Sequence, residues 1–361
     1  MINLSKRLIS WYLINRRELP WRGTKDPYRI WLSEIILQQT RVEQGTPYYK
    51  SFIKAYPTVK KLADAPEDEV LKRWQGLGYY SRARNLHITA KTVAFDLDGR
   101  FPDTYKQLKT LKGVGDYTAS AIASICFDEA AAVVDGNVYR VLSRIFGIKT
   151  PINTTAGQKE FKQLAQKLID KDDPATFNQA MMEFGAIHCK PKQPYCLHCP
   201  FSDDCIALQT NSIEALPVKK GKTKVRNRYF NYAVFISEKM ETALQQRTGK
   251  GIWRGLFEFP LLESDHELNM KDFSKKLVTT KFNTEGQDLK YDTFESSQIE
   301  LFNPKSILHK LSHQNLYVKF WIVRVKNLYG TAIIPIEKLE DFAVPRVIDR
   351  FLEAFNFERN Q

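Results

Sequence analysis

The sequence predicts a multidomain chain: an all-α domain over residues 1–211, a basic linker over 212–228, and an α+β domain over 229–361. Three observations predict it. The 361 residues exceed what one compact core usually holds. Up to about residue 210, apolar residues recur at helical spacing, as in Leu4, Leu8, Trp11 and Tyr12, or Phe161, Leu164, Ala165 and Leu168. After the stretch SIEALPVKKGKTKVRNR the pattern changes to runs rich in aromatic and β-branched residues, such as YFNYAVFI, TALQQR and NLYVKFWIVRV.

In the helical part, Pro20, Pro27, Pro47, Pro57, Pro66, Pro102 and Pro174 lie near the starts of apolar-periodic runs, so many short helices are expected. The linker takes its charge from Lys219, Lys220, Lys222, Lys224, Arg226 and Arg228. Beyond the strands, FAVPRVIDRFLEAFN returns to helical spacing. A formal net charge of +13 points to a polyanionic partner, because clustered cations displace counterions condensed on phosphates. No apolar run reaches the length of a membrane span, and charges interrupt the first residues where a signal peptide would be apolar. A cytoplasmic protein without a membrane partner is expected.

Five cysteines are present, and four of them, Cys189, Cys196, Cys199 and Cys205, form C-x6-C-x2-C-x5-C within seventeen residues. Thiolates packed so closely must share a cation, in a reducing compartment. Zinc is one candidate, although its usual arrangement is two tight pairs with a longer spacer. Cys126, inside TASAIASICF, reads as a core residue. Residues 102–126 read as a short helix, a Gly113-Val114-Gly115 hairpin and a second helix, whose N-terminal amides the glycines open to an anion. A glycine that merely ends a helix is the plainer reading of that pair alone.

Two carboxylates stand out. Glu34 is the one acid in YRIWLSEIILQQT, where Ile30, Trp31, Leu37 and Gln38 are its helical neighbours. Their packing would desolvate the carboxyl and raise its pKa toward that of a general acid. A buried structural pair with Arg22 or Arg41 fits the helix equally well. Asp135 stands where the apolar run AAAVV stops and a helix begins, and alone it reads as an N-cap.

Taken together, LPWR (19–22), WLSEIILQQTRV (31–42), GLGYYSRARNL (76–86), LKGVGDYTA (111–119), VDGNVYRVLSR (134–144) and the cysteine loop resemble the MutY family of adenine DNA glycosylases. That family lies within the endonuclease III, or helix-hairpin-helix, superfamily. The C-terminal part resembles the same family's Nudix-like recognition domain through QQRTGKGIWRGLFEFP (245–260) and HKLSHQNL (309–316), without the paired glutamates of a Nudix hydrolase. The resemblance implies a helix-hairpin-helix over 103–126 and a four-iron four-sulfur cluster on Cys189, Cys196, Cys199 and Cys205. It implies Glu34 as general acid and Asp135 as the carboxylate that stabilises a cationic sugar, a division familiar from sugar hydrolases. It further implies Tyr117 on the Asp135 side of the sugar, Asn137 bonded to the reacting region, and Gln39 and Tyr79 in the base stack opposite an extruded adenine. Gly113, Gly115, Arg82 and Arg84 would face phosphates, and Ser312 and His313 would read 8-oxoguanine.

Two departures matter. An endonuclease III-like lyase would carry a Schiff-base lysine where this chain has Tyr117, so hydrolysis by water is expected. The family's lesion-reading tripeptide is usually Phe-Ser-His, but here it is Leu311-Ser312-His313. The implied protein is a monomeric, nucleoid-associated bacterial enzyme of base excision repair acting on duplex DNA with adenine opposite 8-oxoguanine. A catalytically dead DNA-binding protein is the alternative from another class, and intact Glu34 and Asp135 argue against it.

Overall fold

The computed structural model describes residues 4–221, 225–284, 287–292 and 296–357. The chain divides into two compact units, the first holding residues 4–65 and 84–221, the second 66–83 and the described residues from 225 onward.

The first unit is helical, and side-chain caps set many of its helix starts. Asp26 accepts from Tyr28 N at 2.9 Å and places Pro27 at the first position of helix Pro27–Leu37. Asp173 and Pro174 repeat the device at Pro174–Glu183, while Thr58, Thr104 and Thr154 cap three further helices. Pro47 departs from the pattern and lies inside helix Val42–Ala55. Trp31, Leu32, Ile36, Phe52 and Ile122 are fully buried, each contributing about 1.5–3 kcal/mol by burial. Helix Pro27–Leu37 thereby packs on Asp116–Phe127.

A buried ion cluster ties the chain's start to helix Pro174–Glu183. Glu183 accepts from Arg17 N and Nε at 2.9 Å and from Arg22 at 2.7 and 3.0 Å. Burial alone would raise its pKa, but the two guanidinium groups outweigh burial and hold it at about 2. The folded pKa lies below the ordinary 4.5, so the stabilisation is complete above that value and is lost as pH falls toward 2. Glu183→Gln is therefore expected to cost about 3 kcal/mol in urea unfolding at pH 7. Equal stability of variant and parent would contradict the assignment.

The second unit is built on a mixed sheet. Strand Arg226–Ser237 runs parallel to Gln314–Val325, with Leu261–Ser264 antiparallel on one side and the hairpin strand Ile307–Lys310 on the other. Both faces of the sheet are covered, which is why the strands read as unbroken apolar runs. Phe230, Tyr232, Val234 and Ile236 face one way and share a core with Val347, Ile348 and Phe351 of helix Arg346–Ala354. Ala233 and Phe235 face the other way, with Phe273 and Leu277 of helix Met270–Thr279. Stacked rings mark each core, Phe320 on Phe351 at 4.2 Å and Phe273 on Trp321 at 4.3 Å.

The expected partition differs from this one in two places. Residues 66–83, within the expected helical domain, pack in the second unit: Gln75 Nε2 donates to Asp349 at 2.6 Å, Lys72 to the Phe342 carbonyl at 3.1 Å, and Tyr80 to the Val344 carbonyl at 3.4 Å. The expected linker is also divided. Val218 accepts from Ile152 N at 3.0 Å in the first unit, whereas Arg226 and Arg228 begin the long strand and Arg228 pairs with Glu263 at 2.6 Å. Lys222 and Lys224 lie outside the described residues. Among the described residues, no helix is long and apolar enough to cross a membrane.

Candidate active site

The first unit brings six of the residues singled out from sequence to one open cleft of ≈ 580 Å³: Glu34, Gln39, Gly113, Gly115, Tyr117 and Asp135. Helix Pro27–Leu37 carries Glu34 and then breaks, with Gln39 exposed at φ 56°. Across the cleft stands helix Asp116–Phe127, N-capped by Gly115 without any side-chain hydrogen bond. Gly113 has φ 79°, and a Cβ there would come within 2.7 Å of Asn85 Cβ, so the fold itself demands glycine. Gly115 is extended and has open space around it, so a glycine there exposes backbone and answers no packing need.

Glu34 is buried, and burial raises its pKa to about 7; a hydrogen bond from Tyr117 opposes that rise and the charge of Asp135 adds to it. The structural pairing left open by the sequence is not formed. Arg22 is committed to Glu183, Arg41 is exposed at the start of the next helix, and among the described residues Glu34 makes no ion pair. Tyr117 bonds to Glu34 and also feels the charge of Asp135 in the same cleft, and its hydroxyl lies 3.1 Å from Met182 Sδ.

Asp135 is the N-cap of helix Gly136–Phe146. Its Oδ1 accepts from Asn137 N at 2.9 Å and Val138 N at 2.8 Å, and its Oδ2 from Asn137 Nδ2 at 2.8 Å. Burial raises its pKa, while these three donors and the nearby charge of Arg140 favour the anion. Burial raises both carboxyls, but only Asp135 is also cradled by N–H groups that favour its anion.

Asn137, expected to bond the reacting region, donates here to Asp135. Its amide is fixed from behind by Arg140, which sequence reasoning missed. Arg140 donates to Asn137 Oδ1 at 2.9 Å, to the Gly185 carbonyl at 2.6 Å and to the Cys189 carbonyl at 2.8 Å. A Cβ at Gly185 would come within 2.6 Å of Asn137 Cβ, so this contact requires glycine as well. The one available signal was spacing, since Arg140 follows Asn137 by three positions on a helix.

Cys189, Cys196, Cys199 and Cys205 line a second cavity in the same unit. Arg144 holds the loop around them through the carbonyls of Lys190 at 2.7 Å, Pro191 at 3.1 Å and Ile213 at 3.0 Å. Phe201 N donates to Cys199 Sγ at 3.4 Å. Burial pushes the Cys199 thiol up to about 11, helped by its neighbouring cysteines. Among the described residues, no set of three or more His, Cys, Asp or Glu side chains could hold a metal ion.

The remaining residues lie in the second unit. Ser312 and His313 are exposed in the tight turn between strands Ile307–Lys310 and Gln314–Val325, closed by Leu311 N donating to the Gln314 carbonyl at 2.8 Å. Leu311 turns inward and packs against the sheet's apolar core. The exposed Tyr79 has φ 48°, and its hydroxyl lies 2.8 Å from Ser312 Oγ. Arg82, expected to face phosphate, is largely withdrawn from solvent. Its guanidinium is buried against the rings of Trp74 and Tyr79, with the carbonyls of Leu77 and Gly78 at 3.4 and 3.3 Å.

Residues 32–171 match the HhH-GPD superfamily of base excision DNA repair proteins, and residues 231–354 match the NUDIX domain. Over 359 residues the chain is 32% identical to an adenine DNA glycosylase of Buchnera aphidicola subsp. Schizaphis graminum, covering 97% of this chain and 98% of that one. The chain belongs to the adenine DNA glycosylase family. A human adenine DNA glycosylase is 44% identical over 218 residues, 58% of this chain and 40% of that one. Among solved structures, a thermostable thymine-DNA glycosylase superposes with a TM-score of 0.54 at 32% identity, over 57% of this chain and 95% of that one. An endonuclease III bound to DNA shares the fold, at a TM-score of 0.50 and 22% identity, over 57% and 94%. In this adenine DNA glycosylase family member the expected fold class holds: a helix-hairpin-helix domain of the glycosylase type, then a strand-rich Nudix-like domain. Glu34, Tyr117 and Asp135 fall inside the first matched segment, the cysteine loop beyond its end, and Ser312 and His313 inside the second.

Proposed function

We propose that this chain flips adenine out of duplex DNA where it stands opposite 8-oxoguanine or guanine, and hydrolyses its N-glycosidic bond as a monomeric enzyme of base excision repair at the nucleoid. The observation that carries this reading is the pair of carboxyls at one cleft, Glu34 held neutral up to about pH 7 and Asp135 cradled by three N–H donors. Glu34 passes its proton to the departing adenine, weakening the bond to the sugar. Asp135 faces the positive charge that develops on the sugar, held in place by Asn137 and behind it Arg140. Water then completes hydrolysis to an abasic site. Gly113, Gly115 and the uncapped start of helix Asp116–Phe127 offer their amides to the phosphates of the flipped nucleotide. Gln39 and Tyr79, both in left-handed conformations and exposed, fill the stack opposite it. Ser312 and His313 read the oxidised base through its Hoogsteen edge.

Hydrolysis without strand cleavage rests on Tyr117, since a phenol forms no Schiff base. All four cysteines line one cavity, and a four-iron four-sulfur cluster on Cys189, Cys196, Cys199 and Cys205 would staple the loop that Arg140 and Arg144 grip. When bound, it supplies positive charge for four thiolates and no step of the hydrolysis. Purified protein is expected to contain about four iron atoms per chain; a colourless, zinc-only and active preparation would overturn this.

The test is single-turnover adenine release at one fixed salt concentration from duplexes with adenine opposite 8-oxoguanine, guanine or thymine. Release is expected from the first two, faster from the first, with the strand uncut until alkali is added and little covalent complex trapped by borohydride. Equal rates opposite 8-oxoguanine and guanine would sink the lesion reading, and efficient trapping would sink the monofunctional one.

A further inference from the structure

We infer that Arg82 is a positioning residue for lesion recognition, acting through Tyr79 and not through DNA phosphate; this rests on the reading above that Tyr79 enters the base stack. The segment 75–79 turns through three left-handed residues, Gly76 at φ 97°, Gly78 at 73° and Tyr79 at 48°. Glycine adopts such angles freely, whereas tyrosine does so only where its surroundings impose it. Five contacts impose it here. The Arg82 guanidinium carbon lies 5.0 Å from the Trp74 ring centroid and 5.7 Å from that of Tyr79, joining a fully buried ring to a half-exposed one. Arg82 N donates to the Tyr79 carbonyl at 2.9 Å, Trp74 Nε1 to the Gly78 carbonyl at 3.0 Å, and the Tyr79 hydroxyl meets Ser312 Oγ at 2.8 Å.

The position asks for a flat cation. A guanidinium is planar, weakly hydrated and able to lie against aromatic faces while its edge meets carbonyls, whereas an ammonium is a strongly hydrated point charge. Burial also pulls the Arg82 pKa down to about 10, consistent with a side chain withdrawn from solvent. An arginine that neutralised phosphate would behave in the opposite way, since lysine would largely replace it and its loss would lower the salt dependence of binding.

Arg82→Lys, Arg82→Met, Tyr79→Ala and the Arg82→Met, Tyr79→Ala double variant would be compared in the full chain. Three readouts are taken: thermal midpoint, affinity for a duplex with adenine opposite 8-oxoguanine across a salt series, and cleavage by chymotrypsin after Tyr79 in the absence of DNA. Expected is a loss of about ten-fold or more in affinity for Tyr79→Ala, a similar loss for Arg82→Met that lysine does not rescue, and no further loss in the double variant. The salt slope stays that of the parent, and chymotrypsin cuts after Tyr79 several-fold faster in both Arg82 variants. A salt slope reduced by about one in Arg82→Met, rescue by Arg82→Lys, additive losses in the double variant, or unchanged cleavage would each overturn the inference. Should Tyr79→Ala bind as well as the parent, the stacking role of Tyr79 fails, while the cleavage rates still judge whether Arg82 holds that residue in place.

Discussion

Glu34→Gln is expected to slow single-turnover adenine release by roughly 10²–10⁴-fold or more, the range that a positioned general acid contributes. Glutamine has nearly the same volume, so the cleft that Glu34 shares with Leu37, Gln38 and Tyr117 keeps its shape. What is lost is a proton that can leave with the base. Affinity for the mispaired duplex is expected to stay within a few fold of the parent, because a neutral amide replaces a group that burial already keeps neutral up to about pH 7. A variant that turned over at the parental rate would exclude Glu34 as the acid.

Asp135→Asn carries the second large effect, and the cap geometry makes it a clean test. Asparagine is as good an N-cap as aspartate, so its side-chain oxygen can still accept from Asn137 N and Val138 N, and helix Gly136–Phe146 should keep its start. The negative charge facing the sugar disappears, together with the bond that Oδ2 accepts from Asn137 Nδ2. Removing a preorganised electrostatic partner of a transition state typically costs about 10²–10³-fold. Release should fall by at least that factor while the thermal midpoint moves little. A large drop in the midpoint with full residual activity per folded molecule would instead make Asp135 a cap and nothing more.

The site was legible wherever its chemistry depended on a short run of sequence. Glu34 was visible because a lone acid in an all-apolar helix has to be desolvated, and the cysteine loop because four thiols within seventeen residues need a common cation. What escaped depended on contacts between distant segments. Arg140 reads as an ordinary helical arginine until the π-helical turn Phe184–His188 brings the Gly185 carbonyl against it. Arg82 is the exception: its partners Trp74 and Tyr79 are local, but the left-handed turns at Gly76, Gly78 and Tyr79 that fold them over its guanidinium do not show in helical periodicity. Residues 66–83 carry helical periodicity and so read as part of the helical domain, but their polar partners, Phe342, Val344 and Asp349, lie more than 260 positions away. Leu311 was noticed as a missing aromatic; its inward packing could not be read from the tripeptide alone.

The central claim is that a neutral Glu34 and an ionised Asp135 act together on one glycosidic bond, and the pH dependence of single-turnover adenine release tests it most directly. The Glu34 pKa is raised to about 7, so the active protonated form is lost as pH increases through that value, and the rate should fall about ten-fold per unit beyond it. Asp135 must be ionised, so an acidic limb should appear where its carboxylate takes up a proton. The account predicts a bell with its alkaline limb near pH 7, and loss of that limb in the residual rate of Glu34→Gln. A rate that climbed through pH 7, or an alkaline limb that persisted without the Glu34 carboxyl, would contradict it.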